Sequence, residues 1–146
     1  MTLNDPIIAA ARAAHAKHWQ PCDTQEEGNS RTTQVVRAWQ DAVRSATVRD
    51  EEPVPLAKAA IDVFDSSVGT AYEMKVSGNN PGHEFYKDVL KALAYNRSKP
   101  PPAVAIRKLV FLTEERGIKA LQAGVGKFTC LNAQSVFGFE IALVGL

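Results

Sequence analysis

The sequence predicts an α/β fold with a mixed central β-sheet flanked by helices. In the second half of the chain, strand-like segments alternate with amphipathic helical segments, which is typical of layered α/β domains. Residues 104–112, VAIRKLVFL, are almost continuously apolar, so they are expected to form a central strand buried on both faces. A β-hairpin predicted over 60–76 supplies further strands to the same sheet.

Two helices are predicted before the first strand. An Ala-rich segment over 5–19 carries apolar residues at helical spacing, and Pro21 ends it. A second apolar stripe predicts a helix over about 30–48. The polar run 50–53 is expected to be the break that follows this helix.

The hairpin is marked by a change from helical to strand periodicity. Residues 60–65 are short and rich in strand-forming side chains, and residues 66–69 are turn-like. Residues 70–76 alternate between apolar and polar side chains, so Tyr72 and its even-numbered neighbours are expected to face the core. Asn80 is the predicted N-cap of a helix that reaches about residue 96.

The remaining elements follow the strand 104–112. Thr113 is expected to cap a helix over 114–123, which the glycines at positions 124 and 126 end. An apolar tail that begins at Phe137 predicts the last strand.

Composition indicates one globular domain over 1–146, with an N-terminal helical extension over 1–29 and a core over 30–146. The chain is 45% hydrophobic, yet no apolar run is long enough for a membrane helix, so no membrane partner is expected. The N-terminus lacks the features of a signal peptide. Cys22 and Cys130 lie far apart and form no metal-binding or disulfide pattern, which favours a cytoplasmic protein.

Three charged residues of the hairpin carry the chemistry. Glu73 and Lys75 are two residues apart on one strand, so they share a face. If the turn is centred between residues 67 and 68, Asp62 lies directly opposite Glu73. Two close carboxylates suit Mg²⁺ or Mn²⁺, and the backbone carbonyl of Met74 is the expected third protein ligand. Lys75 is then placed to orient a metal-bound water.

Asp62 followed by Glu73-Met74-Lys75 resembles the signature of the PD-(D/E)xK nucleases. The core of that family is a helix, a three-stranded meander, a helix and a further strand, and residues 30–112 fit this order. The resemblance implies a restriction-endonuclease-like fold. It also implies that Asp62 and Glu73 are the metal carboxylates and that Lys75 is the catalytic lysine.

The sequence departs from the family pattern in two places. Ala60-Ile61 precede Asp62, so the proline of the signature is absent. Asp65 competes with Asp62 for the role of first carboxylate; strand parity puts Asp65 on the other face, but a bulge in the turn would reverse this. Glu26 and Glu27 are candidate accessory acids by position, although Thr24-Gln25-Glu26-Glu27 is a capping box and we favour that interpretation.

Basic residues cluster after the hairpin. Residues 1–84 carry eight basic and twelve acidic side chains, whereas residues 85–146 carry nine basic and four acidic ones. Such a cluster is either a solvated helix face or a surface that follows a phosphate backbone. Given the nuclease hypothesis, the expected nucleic-acid contacts are His83, Lys87, Lys91, Arg97 and Lys99.

The sequence therefore predicts a metal-dependent phosphodiesterase, a DNA endonuclease of the PD-(D/E)xK type, with RNA not excluded as substrate. A chain this short is expected to act as a homodimer or with a partner protein. One alternative is a non-catalytic nucleic-acid-binding module, or a subunit of a larger complex, with the same fold. Another is a small α/β protein whose three charges form only a surface network.

Overall fold

The computed structural model describes residues 4–100 and 102–146. Ten elements follow one another in this part of the chain: α1 (Pro6–His18), α2 (Gln25–Val43), β1 (Val48–Pro53), β2 (Ala60–Asp65), β3 (Thr70–Met74), α3 (Pro81–Ser98), β4 (Lys108–Thr113), α4 (Glu115–Gln122), α5 (Val125–Phe137) and β5 (Glu140–Gly145).

The strands form one five-stranded sheet in the order β1-β2-β3-β4-β5. Strands β1, β2 and β3 make an antiparallel meander. β4 runs parallel to β3 and β5 parallel to β4, because helices carry the chain back across the sheet between them. The predicted mixed sheet flanked by helices is confirmed. The apolar segment before Thr113 supplies β4, which lies between β3 and β5 and is buried from Leu109 to Thr113, as expected of a strand inside the sheet.

Helices cover both faces of the sheet. On one face α1 and α2 pack on a core that includes Trp39, Tyr72, Met74 and Val76. On the other face α3 packs on a core that includes Phe85, Phe111 and Leu109. The prediction that Tyr72, Met74 and Val76 face the core is confirmed.

Glycine is required where the β2–β3 turn meets the following strand. Gly69 has a φ of +72°, a conformation that other residues adopt only with strain. A Cβ on Gly69 would lie 2.6 Å from the carbonyl oxygen of Ala105. A side chain at this position would therefore push the hairpin away from the entry to β4.

The second helix and the first strand differ from the prediction. α2 begins at Gln25 and ends at Val43, so it crosses the expected division between extension and core at residues 29 and 30. The segment 48–53, expected to be a break, is strand β1. β1 lies at the edge of the sheet with alternate residues exposed, and an edge strand tolerates the charges of VRDEEP.

The C-terminal third also differs from the prediction. β4 begins at Lys108 rather than at residue 104, and Thr113 is its last residue rather than a helix cap. A further helix, α5, follows Gly124, where the sequence predicted none. A Cβ on Gly126 would lie 2.5 Å from the carbonyl oxygen of Leu121, so the glycine permits a tight junction between α4 and α5.

Asn80 precedes α3 as expected, but its side chain makes no capping hydrogen bond. Its backbone is left-handed, with a φ of +44°. Asparagine tolerates this conformation better than most residues, which accounts for its position here.

None of the helices within residues 4–100 and 102–146 combines the length and apolarity that a bilayer crossing requires.

Candidate active site

The site forms where strands β2 and β3 separate. Their pairing runs from Asp65 and Thr70 to Val63 and Tyr72, and one step further this register sets Asp62 opposite Glu73. There the Met74 N–H donates to Oδ2 of Asp62 at 3.0 Å. The Asp62 carboxylate thus takes up a backbone N–H at the end of the paired region, which fixes the side chain between the two strands.

The Met74 carbonyl is directed toward the same fork. The Lys75 N–H donates to the Leu112 carbonyl of β4, at 2.9 Å. Neighbouring residues of a strand turn their backbone groups to opposite sides, so the N–H and C=O of Met74 both face β2. Two carboxylates and one backbone carbonyl therefore border the gap between β2 and β3.

Helix α3 contributes a third acid and a lysine. Nζ of Lys91 lies 2.7 Å from Oε1 of Glu73 and 3.2 Å from Oδ1 of Asp88. The side chains are 3% exposed for Glu73, 6% for Asp88 and 12% for Lys91. Three acids and one lysine thus share a nearly closed space; Asp62, Glu73, Asp88 and Lys91 are called the carboxylate–lysine cluster below.

The charges of this cluster are incompletely balanced. Burial is the main reason that the pKa of Glu73 is raised well above its ordinary value, and the charges of Asp62 and Asp88 add to the effect. Burial likewise raises the pKa of Asp62, although the Met74 N–H and Lys91 oppose it. The pKa of Asp88 rises to about 6, with burial the largest cause. A further positive charge would therefore stabilise the ionised carboxylates.

Lys91 responds in the opposite sense. Burial by itself would lower the pKa of its ammonium group, but the charges of Glu73 and Asp88 outweigh burial and the pKa is raised. Lys91 is therefore a permanent cation in the cluster. Oε1 of Glu73 is buried, and Nζ of Lys91 lies 2.7 Å from it. The angles of this contact are those of an ion pair and do not meet the geometry of a hydrogen bond.

The fork is braced from α2. Nε2 of Gln40 donates to the backbone carbonyl of Asp62 at 3.0 Å and to Oε1 of Glu51 at 2.9 Å. Glu51 stands on β1 at a φ of +49°, a strained conformation for this residue. Gln40 is almost fully buried, so it holds β1 and β2 in a fixed relation at the level of Asp62.

Lys75, which sequence reasoning grouped with Asp62 and Glu73, directly follows the last residue of β3. Its side chain is half-buried, and its positive charge contributes to lowering the pKa of Glu84 in the first turn of α3. Within residues 4–100 and 102–146, the ion pairs of Glu73 do not include Lys75. Lys91 thus pairs with Glu73, whereas the charge of Lys75 acts on Glu84 in the first turn of α3.

Two alternative acids do not join the cluster. Oδ1 of Asp65 accepts from both the N–H and the hydroxyl of Ser67, at 3.0 and 2.6 Å, so it closes the β2–β3 turn. Glu27 lies in the first turn of α2 and pairs with Arg31 at 3.3 Å. It is separated from Gln40, which contacts the fork, by about 20 Å of helix.

Sequence reasoning missed Asp88 as a member of the site and assigned Lys91 to a different role. Lys91 was expected to contact a phosphate backbone, whereas the structure buries it against Glu73. One signal was available: charged residues at positions 88 and 91 fall on the same side of an amphipathic helix as Phe85 and Ala92, which are core residues. Charges on a core-facing stripe indicate a buried ionic site.

The other predicted basic residues lie along α3. His83, Lys87 and Arg97 are exposed, while Lys99 is the half-buried C-cap. Lys87 pairs with Glu84 at 2.6 Å. Positions 83, 87 and 97 fall on one stripe of the helix, because successive steps of four, three, four and three residues connect them through 90 and 94.

The cluster fits a small hard cation in part. In the portion of the chain that the structure describes, no three His, Cys, Asp or Glu side chains converge as a ready-made metal cage. Mg²⁺ does not require such a cage, since it binds through one or two carboxylates and keeps several waters. Asp62, Glu73 and the Met74 carbonyl meet that requirement, and a cation at Oε1 of Glu73 would compete with the Lys91 ammonium that contacts this atom at 2.7 Å.

We expect replacement of Asp88 by Asn to stabilise the protein at neutral pH. The pKa of Asp88 is about 6 in the folded state and lower when unfolded, so the folded state holds more protons between about pH 4 and pH 6. The free energy of unfolding should therefore fall as the pH rises through this window. Asp88→Asn should add about 2 kcal/mol near pH 7.5 and little near pH 4.5, as measured by urea unfolding.

The control for this experiment is Glu26→Gln, which changes an exposed carboxyl at the start of α2. It should leave the pH dependence unaltered. If Asp88→Asn lowered the free energy of unfolding equally at both pH values, the prediction would be contradicted. That result would mean that the ion pair of Asp88 with Lys91 outweighs the cost of burying Asp88.

A scan against protein-family models finds no family that matches this chain, and searches of curated proteins and of solved structures find no match. The carboxylate–lysine cluster and the surfaces around it are therefore the features that indicate a function.

Proposed function

We propose that the protein is a metal-dependent phosphodiesterase that cleaves DNA in the manner of the PD-(D/E)xK nucleases. The observation that carries this proposal is the pair of buried carboxylates at the β2–β3 fork, with Oε1 of Glu73 lacking an aligned donor. Buried carboxylates with raised pKa values are costly to the fold, so they are expected at functional sites. RNA is a possible substrate of the same chemistry.

Each residue has a distinct part in this proposal. Asp62, Glu73 and the Met74 carbonyl would hold Mg²⁺ or Mn²⁺, which when bound acidifies a water and offsets charge on the phosphate. The Met74 N–H orients the Asp62 carboxylate, and Gln40 fixes the backbone of Asp62. Lys75, with its half-buried side chain at the end of β3, would orient the attacking water and stabilise negative charge on the phosphate oxygens.

The order of elements supports the proposal. The series α2, β1, β2, β3, α3, β4 is a helix, a three-stranded antiparallel meander, a helix and a parallel strand. This is the order implied by the resemblance of Asp62 and Glu73-Met74-Lys75 to the nuclease signature. The exposed basic residues lie on α3, the helix that also supplies Asp88 and Lys91 to the cluster, and would contact the phosphate backbone.

We further propose that the protein acts in the cytoplasm as a homodimer. Helix α5 exposes Val125, Phe128, Leu131 and Val136, each at least 65% accessible. An apolar group of this kind on one helix favours contact with another protein. A two-fold dimer would present two identical sites, which suits cleavage of both strands of a duplex.

The test is cleavage of supercoiled plasmid by the full chain with Mg²⁺ or Mn²⁺. We expect nicked and linear products that disappear with chelator. Lys75→Ala should lower the rate by about 100-fold, which is a usual loss for a residue that assists proton transfer. Lys119→Ala, an exposed lysine on α4, is the matched control and should cleave like the wild type.

A second function follows from one observation in the cluster. Lys91 already neutralises part of the carboxylate charge without any metal, as it would in a structural ion-pair network. This favours a nucleic-acid-binding module that does not cleave. DNA binding without cleavage of plasmid or of a branched junction, in the presence of either metal, would support the binding module and overturn the nuclease proposal.

A further inference from the structure

A groove of about 490 Å³ runs between α3 and the loop that joins β1 to β2. Three lysines line it: Lys58 from the loop, and Lys87 and Lys91 from α3. Its other walls are apolar and include Val54, Leu90 and Ala94. We call this cavity the lysine groove.

The charge of the lysine groove selects an anion. No acidic side chain is among the residues that line it in the described part of the chain. Lys58 is exposed in its loop and Lys87 pairs with Glu84 at the surface, whereas Lys91 is turned toward Glu73 and Asp88. Lys58 and Lys87 are therefore the two lysines of the groove that an incoming anion would meet.

The apolar walls restrict the anion further. Leu90 is 61% exposed, an unusual accessibility for a leucine in a groove otherwise lined by lysines and small side chains. A free phosphate ion would gain nothing from Leu90. A nucleotide combines a phosphate for the lysines with a flat base, whose apolar faces can cover the exposed Leu90 side chain.

The helix continues this pattern beyond the groove. His83, Lys87, Leu90, Ala94 and Arg97 follow one another at spacings of four, three, four and three, so they form one stripe of α3. Exposed basic residues therefore stand on both sides of Leu90 along the helix axis. A strand lying along α3 would meet a cation, an apolar surface and another cation in turn.

Lys91 lies between the lysine groove and the carboxylate–lysine cluster. Lys91 lines the groove, and its Nζ lies 2.7 Å from Oε1 of Glu73. Ala60, also in the groove wall, is two residues before Asp62 on β2. A nucleotide in the groove would thus lie beside the proposed metal carboxylates.

We propose that the lysine groove binds an unpaired nucleotide of a single-stranded nucleic acid, with its phosphate on Lys58 and Lys87 and its base against Leu90. This inference rests on the proposed function, since it makes the unpaired nucleotides of an opened or overhanging duplex the part of the substrate that lies beside the carboxylate–lysine cluster. A groove of about 490 Å³ has room for one nucleotide, and a fully paired duplex keeps its bases stacked inside, where Leu90 does not reach them.

The experiment measures binding rather than cleavage. A labelled oligothymidylate of about 12 nucleotides and a blunt hairpin duplex are titrated with the full chain at low salt, in the presence of chelator, by fluorescence anisotropy. We expect the single strand to bind at least about fivefold more tightly than the duplex. Leu90→Ser should weaken single-strand binding by about fivefold and leave duplex binding unchanged.

The lysine prediction uses the salt dependence of the same titration. Lys58→Ala should reduce the slope of log K against log salt by about 0.7, the value for one phosphate contact on a single strand. The matched controls are Val68→Ser, which changes an apolar residue that is 57% exposed in the β2–β3 turn, and Lys119→Ala on α4. Both should bind like the wild type.

Three outcomes would overturn the inference: tighter binding of the duplex, equal losses in the groove and control variants, or equally effective displacement of the strand by polyglutamate. If a mononucleotide displaced the labelled strand as effectively as the unlabelled strand does, the groove would instead be a site for free nucleotides, and the inference would be wrong. Loss of plasmid cleavage with binding intact would count against the proposed function alone. Cleavage with no effect of the groove variants would count against this inference alone.

Discussion

Replacing either carboxylate of the fork should remove nearly all DNA cleavage. We expect Asp62→Asn and Glu73→Gln each to lower the rate by on the order of 1,000-fold with Mg²⁺, since a bound metal supplies several kcal/mol of transition-state stabilisation. Both replacements keep the size of the side chain and remove the charge. The measurement is the initial rate of plasmid nicking, with circular dichroism to verify that the variants are folded.

Asp65→Asn is the control that separates the two candidate first carboxylates. Asp65 accepts two hydrogen bonds from Ser67 in the β2–β3 turn, so its loss should affect stability slightly and cleavage little. An inactive Asp65→Asn beside an active Asp62→Asn would contradict the assignment of Asp62. A wild-type rate in Glu73→Gln would contradict the metal site as a whole.

The hairpin part of this site follows from residue order alone. Side chains alternate along a strand, and the residue numbers of paired positions in an antiparallel hairpin have a constant sum. Placing the turn between residues 67 and 68 therefore sets Asp62 opposite Glu73. The observed pairing of Val63 with Tyr72 has the same sum. The assignment of Tyr72, Met74 and Val76 to the core follows from the same alternation, and it is confirmed.

The contribution of α3 could not be derived in this way. Which face of a helix meets a given sheet position depends on the packing of the whole layer, and the distance between positions 73 and 91 along the chain carries no information about it. The core contacts of Phe85 and Ala92 turn Asp88 and Lys91 inward together. Helical spacing alone grouped Lys87 with Lys91, yet one is exposed and the other is nearly buried.

The missed elements have local causes. Strand β1 contains four charged residues in six, and its stability comes from pairing with β2 and from Gln40 rather than from apolar alternation. Helix α5 was hidden by two glycines that ordinarily end a helix. In the structure Gly124 begins α5 and Gly126 permits its close contact with Leu121, so the same residues serve a junction between two helices.

The cluster contains three acids and one cation, so its charges are not balanced. Lys91 lies where it can neutralise Glu73 and Asp88, but it leaves Oε1 of Glu73 without an aligned donor. A divalent cation bound by Asp62 and Glu73 would add the missing charge and would reduce the need for Lys91. Lys91 and the metal should therefore be partly interchangeable in stabilising the fold.

This interchange predicts that Lys91→Met lowers the stability of the metal-free protein and increases its response to metal. Removing one partner of a buried ion pair costs about 3–5 kcal/mol, because the other charges stay buried. In a chain of this size we expect the melting temperature to fall by roughly 10 °C with chelator. Mn²⁺ should then raise the melting temperature of the variant by more than that of the wild type.

Differential scanning fluorimetry with chelator, Mg²⁺ and Mn²⁺ measures both effects. Lys87→Met is the matched control, since Lys87 lies one turn earlier on α3 and pairs with Glu84 at the surface. A surface ion pair contributes at most about 1 kcal/mol, so Lys87→Met should melt near the wild type and respond to metal equally. A Lys91→Met variant that is destabilised yet insensitive to either metal would mean that Lys91 serves a structural ion pair alone, and that no cation binds at the fork.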